Sequence, residues 1–350
     1  MKKHNDYLVK KGAPLKLAIE RMDINSNKSI LFVVDENDIL FGSISDGDIR
    51  RGLIKGFTIE TKVEKVMCKT PKFITNNKFE LSKIKKFRAN DLKLVPIIDH
   101  GKKILSILNF NERKSHLPVD SIIMAGGKGK RLKPLTNNTP KPLLKIGKKP
   151  LIEYALDHIT FFGIEHIWVS LNYLEKQIVD HLDKSKYKNL NYLKESKPLG
   201  TIGAVSLIDN FKSDIILILN SDLICNVDYE LFLEEFIDQN ADISILSIPY
   251  DFLVPFAVLE NEGNLVKSFI EKPKYNFQTN GGIYLMKKEV LKLIPNDTFY
   301  NATDLIEKAI SNDLKVISHS FKGYWIDIGR HDDFEKAKNE IEQVNFSRKF

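Results

Sequence analysis

The chain has 350 residues, of which 43% are hydrophobic and 28% are charged. This length is typical of two domains, and the ordinary composition excludes a disordered or collagen-like protein. The net charge of +7 is uneven, because residues 1–117 hold 24 Lys and Arg against 14 Asp and Glu, which leaves 29 against 32 for residues 118–350. The lysines of the first third are scattered and lack interleaved aromatics, so we expect no nucleic-acid partner, but a solvated basic surface or a small anionic ligand.

No stretch approaches the roughly 18 apolar residues of a membrane span, and the N-terminal lysines precede no apolar run of secretory length. We therefore predict a cytoplasmic protein with no membrane partner. Cys68 and Cys225 lie far apart without a CxxC motif, so we expect reduced, partly buried thiols rather than a disulfide or a zinc site.

A small α/β unit occurs twice within residues 1–117. Each copy has a helix-like stretch, at residues 13–22 and 80–89, with apolar positions at three- and four-residue spacing. Two apolar strands joined by a polar turn follow within residues 29–54 and 93–114, and a helix start follows the first pair. This pattern predicts an internal duplication.

The paired unit resembles the tandem cystathionine-β-synthase (CBS) module. The resemblance rests on GSISDGDIRR, in which Gly42, Ser45 and Asp48 match a family pattern whose hydroxyl and carboxylate hold a nucleotide ribose. The second copy has Leu108 and Asn111 where Ser45 and Asp48 stand in the first. The resemblance therefore implies one regulatory purine-nucleotide site rather than two. The same residue types also suit a strand end and a helix cap without a ligand, and this alternative stays open.

A second domain is predicted over residues 118–350, after a polar segment at 112–119 that we interpret as a linker. Apolar strands there alternate with amphipathic helices, which predicts a Rossmann-like, mainly parallel α/β sheet with helices on both faces. Ligands of such sheets bind at the carboxyl ends of the strands. The predicted strands cover residues 119–125, 166–171, 189–195 and 215–222, and the predicted helices cover residues 150–163, 174–183 and 201–211.

The first strand of this domain runs into AGGKGKRLKP, a segment with three glycines and four cations. It is not a P-loop, because GxxxxGK[ST] cannot be laid on it, and the third glycine of a GxGxxG dinucleotide fingerprint is missing. Backbone without side chains can approach an anion closely, and nearby cations balance its charge. We expect this loop to bind a triphosphate with Gly126, Gly127, Lys128, Gly129, Lys130, Arg131 and Lys133.

The segment MAGGKGKRLKPLTNNTPKPLLKIGKKPLIEY resembles the signature of the sugar-1-phosphate nucleotidylyltransferases. It departs from the family pattern at Lys130, where a threonine is usual. The resemblance extends over residues 120–335 and implies a glycosyltransferase-A-like nucleotidyltransferase domain. The implied reaction joins a nucleoside triphosphate (NTP) to a sugar 1-phosphate, gives an NDP-sugar and pyrophosphate, and uses Mg²⁺ as cofactor.

Further segments match this family in its own order, namely ESKPLGTIGAV, LILNSDLI, FIEKP, NGGIYLM and GYWIDIGR. The resemblance implies that Asp222 and Asp327 hold the Mg²⁺ ion. It also implies that Arg131 binds the triphosphate tail, Lys141 neutralises the α-phosphate and Lys272 grips the sugar phosphate. The other implied nucleotide-binding residues are Ala125, Gly126, Gly127, Lys128, Gly129, Lys130, Glu195, Gly200, Thr201 and Asn220, and the sugar-phosphate-binding residues are Glu271, Lys272, Asn280 and Gly281.

The base and the sugar are inferred from two features. PKPLL favours the guanylyl-, uridylyl- or cytidylyltransferases, and no hexapeptide repeats follow GYWIDIG as they do in bifunctional uridylyl enzymes. A CBS module ahead of such a domain resembles the glucosamine-1-phosphate guanylyltransferases of bacterial legionaminic acid synthesis. We therefore expect GTP and glucosamine 1-phosphate, with mannose 1-phosphate or a heptose 1-phosphate as alternative acceptors.

A different class of function is a catalytically inactive nucleotide sensor. The intact set of Lys141, Asp222, Lys272 and Asp327 argues against it. Paired CBS modules often dimerise, so the resemblance also favours a homo-oligomer. We expect no metal at the histidines, which should be surface or boundary residues, and we expect both tryptophans in the core. These residues are His158, His166, His181, Trp168 and Trp325.

Overall fold

A computed structural model describes residues 4–24, 30–76 and 79–344. The chain forms two compact units, Met1–Pro118 and Val119–Phe350. Within the described ranges, no helix is both long and apolar enough to cross a bilayer.

The first unit contains two three-stranded sheets of identical order, β1-β2-β3 and β4-β5-β6. In each sheet the first strand is parallel to the second, and the second is antiparallel to the third. The elements are β1 (Leu8–Lys10), α1 (Leu15–Ile24), β2 (Ile30–Val34), β3 (Leu40–Ser45), α2 (Asp46–Ile54), β4 (Ile74–Thr75), α3 (Leu81–Ala89), β5 (Leu94–Ile98) and β6 (Ile104–Asn109).

A symmetric pair of backbone hydrogen bonds joins the two halves of the first unit. The Leu40 amide donates to the Lys102 carbonyl at 2.9 Å, and the Ile104 amide donates to the Asp38 carbonyl at 3.0 Å. Asp38 and Lys102 also share a left-handed backbone, with φ of 63° and 64°. The two turns are therefore equivalent, and apolar side chains from both sheets pack into one shared cluster.

This equivalence corrects the alignment of the two copies made from the sequence. The pairing of β3 with β2 and of β6 with β5 places Asn109, not Leu108, at the position of Ser45. The same one-residue shift makes Glu112 the counterpart of Asp48, and Asn109 Nδ2 donates to Glu112 Oε1 at 2.9 Å. Leu108 is 1% exposed and belongs to the core. A slip of one residue moves a strand side chain to the opposite face, which is why the apolar pattern alone misplaced it.

The polar segment interpreted as a linker is packed against the first unit. Residues 114–117 are buried. The Arg88 guanidinium donates to the Lys114 carbonyl at 2.6 Å, and His116 Nε2 lies 3.3 Å from Asn76 Oδ1. These contacts satisfy polar groups that a free linker would leave in water.

The second unit is built on a seven-stranded sheet of order β11-β10-β7-β12-β17-β14-β18. Its elements are β7 (Asp120–Met124), β8 (Lys145–Ile146), β9 (Lys149–Pro150), α4 (Leu151–Phe161), β10 (His166–Leu171), α5 (Glu175–Asp183), β11 (Leu190–Lys194), β12 (Ile215–Asn220), β13 (Leu223–Cys225), α6 (Tyr229–Asp238), β14 (Ile243–Leu253), β15 (Val258–Glu262), β16 (Leu265–Ile270), β17 (Lys274–Lys287), α7 (Ala302–Ser311), β18 (Val316–Ser320), β19 (Trp325–Asp327) and α8 (His331–Glu340).

The predicted mainly parallel α/β sheet is confirmed. β11, β10, β7 and β12 are mutually parallel, as are β14 and β18, and β17 runs antiparallel between the two groups. Successive residues of β12 from Ile216 to Leu219 are all at most 2% exposed. Both faces of this central strand are therefore covered, as a continuous apolar run predicts.

The helix predicted over residues 201–211 is a short 3₁₀ turn, Gly203–Leu207. The amides of Ile202 and Gly203 both donate to the Tyr300 carbonyl at 3.1 Å. This long-range pairing replaces the regular start of an α-helix, and helical spacing of apolar residues could not reveal it.

Two strands of the central sheet continue beyond it as a paired extension. The β14–β17 ladder runs six pairs past Ser247 and Asn280 and ends at Leu253 and Lys274, about 20 Å of strand at about 3.3 Å per residue. At its far end β15 and β16 form a two-stranded sheet of their own. We call residues 248–279 the ribbon.

Candidate functional site

The glycine loop lies at the carboxyl end of β7, on the edge where parallel sheets bind ligands. Gly129 has a left-handed backbone with φ of 58°, and its carbonyl accepts a hydrogen bond from Thr136 Oγ1 at 2.9 Å. A Cβ at Gly129 would lie 2.9 Å from Thr136 Cγ2 and 3.2 Å from Lys141 Cβ. The third glycine is thus required for the loop to close against the PKP segment.

The open side of the loop is at Gly127. This residue is exposed, and a Cβ there would meet no atom within 4 Å. The side chains of Lys128, Lys130 and Arg131 are also at exposed positions around it. The loop therefore presents backbone and positive charge to solvent, which suits an anionic ligand.

Glu195 supports the loop from the buried side. A Cβ at Gly126 would lie 2.7 Å from Glu195 Oε1, so the backbone passes directly over this carboxylate. The carboxylate accepts hydrogen bonds from the Ser170 hydroxyl and, at 3.1 Å, from the Leu199 amide, while its carbonyl accepts one from Asn172 at 2.9 Å. Glu195 therefore positions the loop through contacts within the protein.

A short antiparallel ladder brings Asp222 and Asp327 together although they are distant in the sequence. β13 pairs with β19 so that Leu223 lies opposite Asp327. The Ile328 amide also donates to the Asp222 carbonyl at 3.0 Å. The structure thus places the two aspartates expected to form a pair on adjacent backbone positions.

The surroundings of this carboxylate pair combine one cation with two unsatisfied oxygens. Lys141 Nζ donates to Asp222 Oδ2, and the Lys141 side chain is 11% exposed. Oδ1 of Asp222 and Oδ1 of Asp327 are buried and accept no hydrogen bond from the described part of the chain. Buried carboxylate oxygens without a donor are costly unless another positive group binds them.

Burial and the nearby charge of Asp222 raise the pKa of Asp327 to about 6, while Lys141 and Arg131 act in the opposite direction. The Arg131 guanidinium is packed beside Gly329, since a Cβ added at Gly329 would lie 3.4 Å from Arg131 Nη1. Two adjacent carboxylates therefore share this site. The positive charges of Lys141 and Arg131 are too weak to return the pKa of Asp327 to its ordinary value.

The donor set fits a hard divalent cation. Carboxylate oxygens are the ligands that Mg²⁺ prefers, and this ion usually keeps water or substrate phosphate in its other positions. The residues that the structure describes contain no group of three or more His, Cys, Asp or Glu able to hold a metal. The pair Asp222 and Asp327 would thus supply two ligands and leave the rest to water or phosphate.

Gly200 and Thr201 hold a second edge of the site. Gly200 has φ of 81°, and a Cβ there would lie 2.5 Å from the Tyr300 carbonyl oxygen. Thr201 Oγ1 accepts a hydrogen bond from the Ala302 amide at 2.8 Å, at the first residue of α7. Both residues therefore pack the sequence motif against the start of α7, a role that the motif did not indicate.

Asn280 and Gly281 lie beside Asn220 at the end of β12. Asn280 Oδ1 accepts from the Gly282 amide at 2.9 Å, and the Gly281 carbonyl accepts from Trp325 Nε1 at 2.9 Å. A Cβ at Gly282 would lie 2.8 Å from Asn220 Nδ2. This segment therefore lies close to the end of β12, two residues before Asp222, and to β19, which carries Asp327.

Glu271 and Lys272 lie apart from this cluster, between β16 and β17 at the far end of the ribbon. Their side chains are 63% and 64% exposed, and the two charged groups are 4.0 Å apart. Six steps of extended chain separate Lys274 from Asn280, or about 20 Å, and Lys272 lies two residues beyond Lys274 in a bend with φ of 45°. The structure of this single chain does not bring Lys272 to the carboxylate pair.

In the first unit, Ser45 and Asp48 form a capping box at the start of α2. Ser45 Oγ accepts from the Asp48 amide at 3.1 Å, and Asp48 Oδ2 accepts from the Ser45 amide at 2.9 Å. Partial burial opposes ionisation, but hydrogen bonds from Ser45 and Arg51 outweigh it and lower the pKa of Asp48. Gly42 has a packing role, since a Cβ there would lie 2.6 Å from Met67 Sδ. The helix-cap interpretation is therefore realised at Asp48.

A cavity of about 560 Å³ nevertheless lies between the two halves of this unit. Ser45 lines it, whereas Gly42 and Asp48 are absent from its lining. Arg50 of the first half and Lys72 and Lys93 of the second half line it. Asp46 and Asp91 also line it and pair with Arg50 and Lys93, so Lys72 is the excess positive charge of the lining.

Some residues that shape the site could not be predicted individually from the sequence. Thr136 follows the glycines in the same motif, and its hydroxyl donates to the Gly129 carbonyl, a contact that the motif does not indicate. Ser170 and Asn172 follow from nothing in the sequence, because they meet Glu195 only when β10 lies between β7 and β11. Such positioning residues become visible only through strand order.

Several expectations about isolated residues need adjustment. His158 is buried rather than at the surface, with its Nε2 2.6 Å from the Val227 carbonyl oxygen. Cys68 is exposed, whereas Cys225 is buried. The two side chains expected in the core are half-buried, namely Trp168 and Trp325.

Residues 120–344 match the sequence profile of the nucleotidyl transferase family. Mannose-1-phosphate guanyltransferase 2 of Candida glabrata is 30% identical over 224 residues, and the bifunctional protein GlmU of Methanocaldococcus jannaschii is 30% identical over 237 residues. The alignments cover 61% and 65% of this chain and 62% and 55% of those proteins. The chain thus spans less than two thirds of the length of these relatives.

A solved structure gives a similar fold. HddC from Yersinia pseudotuberculosis is 29% identical, with a TM-score of 0.50, and the match covers 64% of this chain and 99% of that chain.

Proposed function

Because the chain belongs to the nucleotidyl transferase family through residues 120–344, we propose that it transfers the nucleotidyl group of an NTP to a sugar 1-phosphate. The products would be an NDP-sugar and pyrophosphate. The observation that carries this proposal is the half-buried pair of Asp222 and Asp327, with Lys141 bonded to Asp222 beside the glycine loop. This arrangement can hold two polyanions together.

The proposed reaction is an in-line displacement at phosphorus. An oxygen of the sugar phosphate attacks the α-phosphorus, the bond from this phosphorus to the bridging oxygen breaks, and pyrophosphate leaves with that electron pair. Like charges about 4 Å apart repel by several kcal/mol at protein-like dielectric, so cations must be supplied. Lys141 would face the α-phosphate, and Arg131 would bind the triphosphate tail with its forked donors.

Mg²⁺ is the proposed cofactor, and Asp222 and Asp327 are the residues that would hold it. When bound, the ion would neutralise phosphate charge and orient the reacting groups. The buried Oδ1 atom of each aspartate accepts no hydrogen bond from the described residues, which supports this assignment. The chain itself needs no nucleophile, because positioning and charge stabilisation suffice for phosphoryl transfer.

For the substrates we propose GTP and glucosamine 1-phosphate. The names of relatives from several yeasts, mannose-1-phosphate guanyltransferases, support the guanine base. They also make mannose 1-phosphate the leading alternative acceptor, followed by a heptose 1-phosphate. Lys272 and Glu271 are proposed to meet the sugar phosphate together with Asn280 and Gly281, which requires the far end of the ribbon to reach the site.

The test is pyrophosphate release with each of the four common NTPs, Mg²⁺ and a panel of sugar 1-phosphates. We expect the highest kcat/KM with GTP and one of the named sugar phosphates. Asp222→Asn should lower turnover about 100-fold or more, as expected for a group that stabilises transition-state charge. Asp209→Asn is the matched control, because Asp209 is an exposed aspartate of the same unit. Inactivity of the folded wild-type protein with every pair would favour the nucleotide-sensor alternative.

A second proposal concerns the first unit, which we propose to be a CBS-type regulatory module that binds a purine nucleotide. The cavity with Ser45 and the excess charge of Lys72 on its walls supports this role, and Arg50 and Lys93 are there in ion pairs with Asp46 and Asp91. Calorimetry with AMP, which has no pyrophosphate to release, should show binding to the full chain that Lys72→Glu weakens. Lys69→Glu should leave it unchanged, since Lys69 is exposed and lies outside the cavity. Equal heats for all three proteins would refute the proposal.

A further inference from the structure

The ribbon has an exposed aromatic face. Tyr250 lies opposite Phe277, and Phe252 lies opposite Tyr275, so all four side chains project from one side of the two strands. Their exposed fractions are 56%, 53%, 49% and 38%, in that order. The rings of Tyr275 and Phe277 stack with centroids 6.4 Å apart. We call these four residues the aromatic face.

The opposite face of the same strands is mainly polar, although Pro249 and the exposed Leu253 also lie on it. Asp251 and Lys274 form an ion pair of 2.6 Å there. Asn276 lies opposite Asp251 on the neighbouring strand, and Gln278 continues the row. The ribbon is therefore amphipathic, the pattern of a sheet with one face packed and one face in water.

Apolar exposure continues into the hairpin at the far end. Leu259 and Phe269 form a cross-strand pair there and are 54% and 66% exposed. An aromatic side chain has about 150–250 Å² to bury, so the four half-exposed rings of the aromatic face offer roughly 400 Å², and all eleven large exposed apolar side chains of the ribbon together offer roughly 1,000 Å². A typical stable interface takes about 800 Å² from each partner, whereas apolar patches on a monomer rarely exceed a few hundred Å². The other large exposed apolar residues of the ribbon are Leu253, Phe256, Leu265, Val266 and Ile270.

Both edges of the ribbon are also open. β18 pairs with β14 only up to Ser247, and β12 pairs with β17 only from Ile283 onward. Residues 248–253 and 274–279 therefore pair with each other and have no third strand among the described residues. Open edges next to apolar surface favour association with another polypeptide.

The charge of the ribbon points to a protein partner. Its residues include four acids and three lysines, so the segment is nearly neutral. Nucleic acid and anionic membrane surfaces are bound through excess positive charge, which this segment lacks. Elsewhere in the described second unit the large exposed apolar side chains are well separated in the sequence, at Leu135, Leu231, Phe299 and Ile310.

We propose that the ribbon is a dimerisation surface, and that its aromatic face packs against the same face of a second copy of this chain about a two-fold axis. The same patch then serves both partners, as closed symmetry requires. The ribbon of a second copy matches this face in size, apolar character and charge. The proposal does not rest on the proposed reaction, although Glu271 and Lys272, which are proposed to meet the sugar phosphate, belong to the same ribbon.

The test is the mass of the full chain in solution, measured by sedimentation velocity over a concentration series. We expect about twice the chain mass of 40.2 kDa, and a shift to the single-chain mass in Phe277→Lys, because a buried ammonium without a partner is costly. Asn276→Lys adds the same charge one residue away on the polar face, opposite Asp251. This matched control should remain dimeric.

A second control locates the interface. Ile54 is 80% exposed in the first unit, and Ile54→Lys should leave the dimer intact. Hydrogen exchange should show slower amide exchange over residues 248–279 in the wild type than in Phe277→Lys. A wild type that is monomeric at all concentrations, a Phe277→Lys protein that stays dimeric, or dissociation by Ile54→Lys alone would each overturn the proposal.

Discussion

Asp327 is held where its charged form is disfavoured. Burial and the adjacent Asp222 raise its pKa to about 6, and neither Lys141 nor Arg131 fully compensates. Such a carboxyl group is a poor stabilising element but a good ligand for a divalent cation, which removes the repulsion. The position is therefore suited to binding rather than to stability.

The raised pKa of Asp327 predicts a pH-dependent loss of stability without metal. The folded chain holds this proton more tightly than the unfolded chain, whose Asp pKa is about 3.9. The free energy of unfolding should therefore fall as pH rises from about 4 to about 6. With chelator present, the Tm of wild type relative to Asp327→Asn should decrease across this window. Added Mg²⁺ should raise the Tm of wild type above pH 6, and a constant Tm difference would contradict this.

Lys141 should matter more for turnover than for folding. Its ammonium group bonds to Asp222. Loss of this group therefore leaves less positive charge to balance the two carboxylates and the phosphates of the two proposed substrates. We expect Lys141→Met to lower kcat about 100-fold or more. Lys145→Met is the matched control, because Lys145 is a nearby exposed lysine. Comparable kcat values for the two variants in the pyrophosphate assay would exclude a role for Lys141 in charge stabilisation.

At the scale of elements, strands and loops hold the site in different ways. β13 and β19 bring the aspartates together through backbone pairing, whereas the motif around Gly200 is clamped by Tyr300 and the start of α7. The site thus depends on pieces of backbone that have no chemistry of their own.

Gly200→Ala should destabilise the protein, while Gly127→Ala should not. At Gly200 the φ of 81° and the 2.5 Å approach to the Tyr300 carbonyl leave no room for a Cβ. Strain of this kind costs roughly 1–3 kcal/mol, which thermal unfolding would show as a lower Tm. At Gly127 a Cβ meets nothing within 4 Å, so the Tm should stay near wild type while KM for the NTP rises. Equal Tm values for the two variants would contradict the clamp.

The sequence predicted these elements well where local pattern determines them. The apolar runs at 166–171 and 215–222 gave strands within two residues of β10 and β12. The helix predicted over residues 201–211 was wrong. Amides of this segment bond to the Tyr300 carbonyl, about a hundred residues away, and the spacing of apolar residues contains no such information. Lys272 was predicted from a motif, but a motif does not specify that the adjoining strands continue into a ribbon. The pair Asp222 and Asp327 was predicted because each follows an apolar strand within a matching motif.

At the scale of the whole molecule, each unit has a hydrophobic core of its own. Ile97 is 1% exposed in a cluster of the first unit, and Ile218 is 1% exposed in a cluster of the second. The duplicated unit contributes many local contacts, whereas the second unit depends on strands paired across long stretches of sequence. The two cores should therefore respond separately to substitution.

Calorimetric unfolding should resolve this separation. We expect Ile97→Ala to lower the transition of the first unit and Ile218→Ala to lower that of the second, because each deletes buried methyl groups at a cost of about 2–5 kcal/mol. A single transition that both variants shift by the same amount would show that the units unfold as one.

The antiparallel pairing of β13 with β19 has a consequence for synthesis of the chain. Ribosomes add about 5–20 residues per second, so Asp327 emerges roughly 5–20 s after Asp222. During that interval the glycine loop can already be folded while its second aspartate is still missing. A nascent or prematurely terminated chain could therefore retain anions at the loop without the ion-binding pair that catalysis is proposed to need.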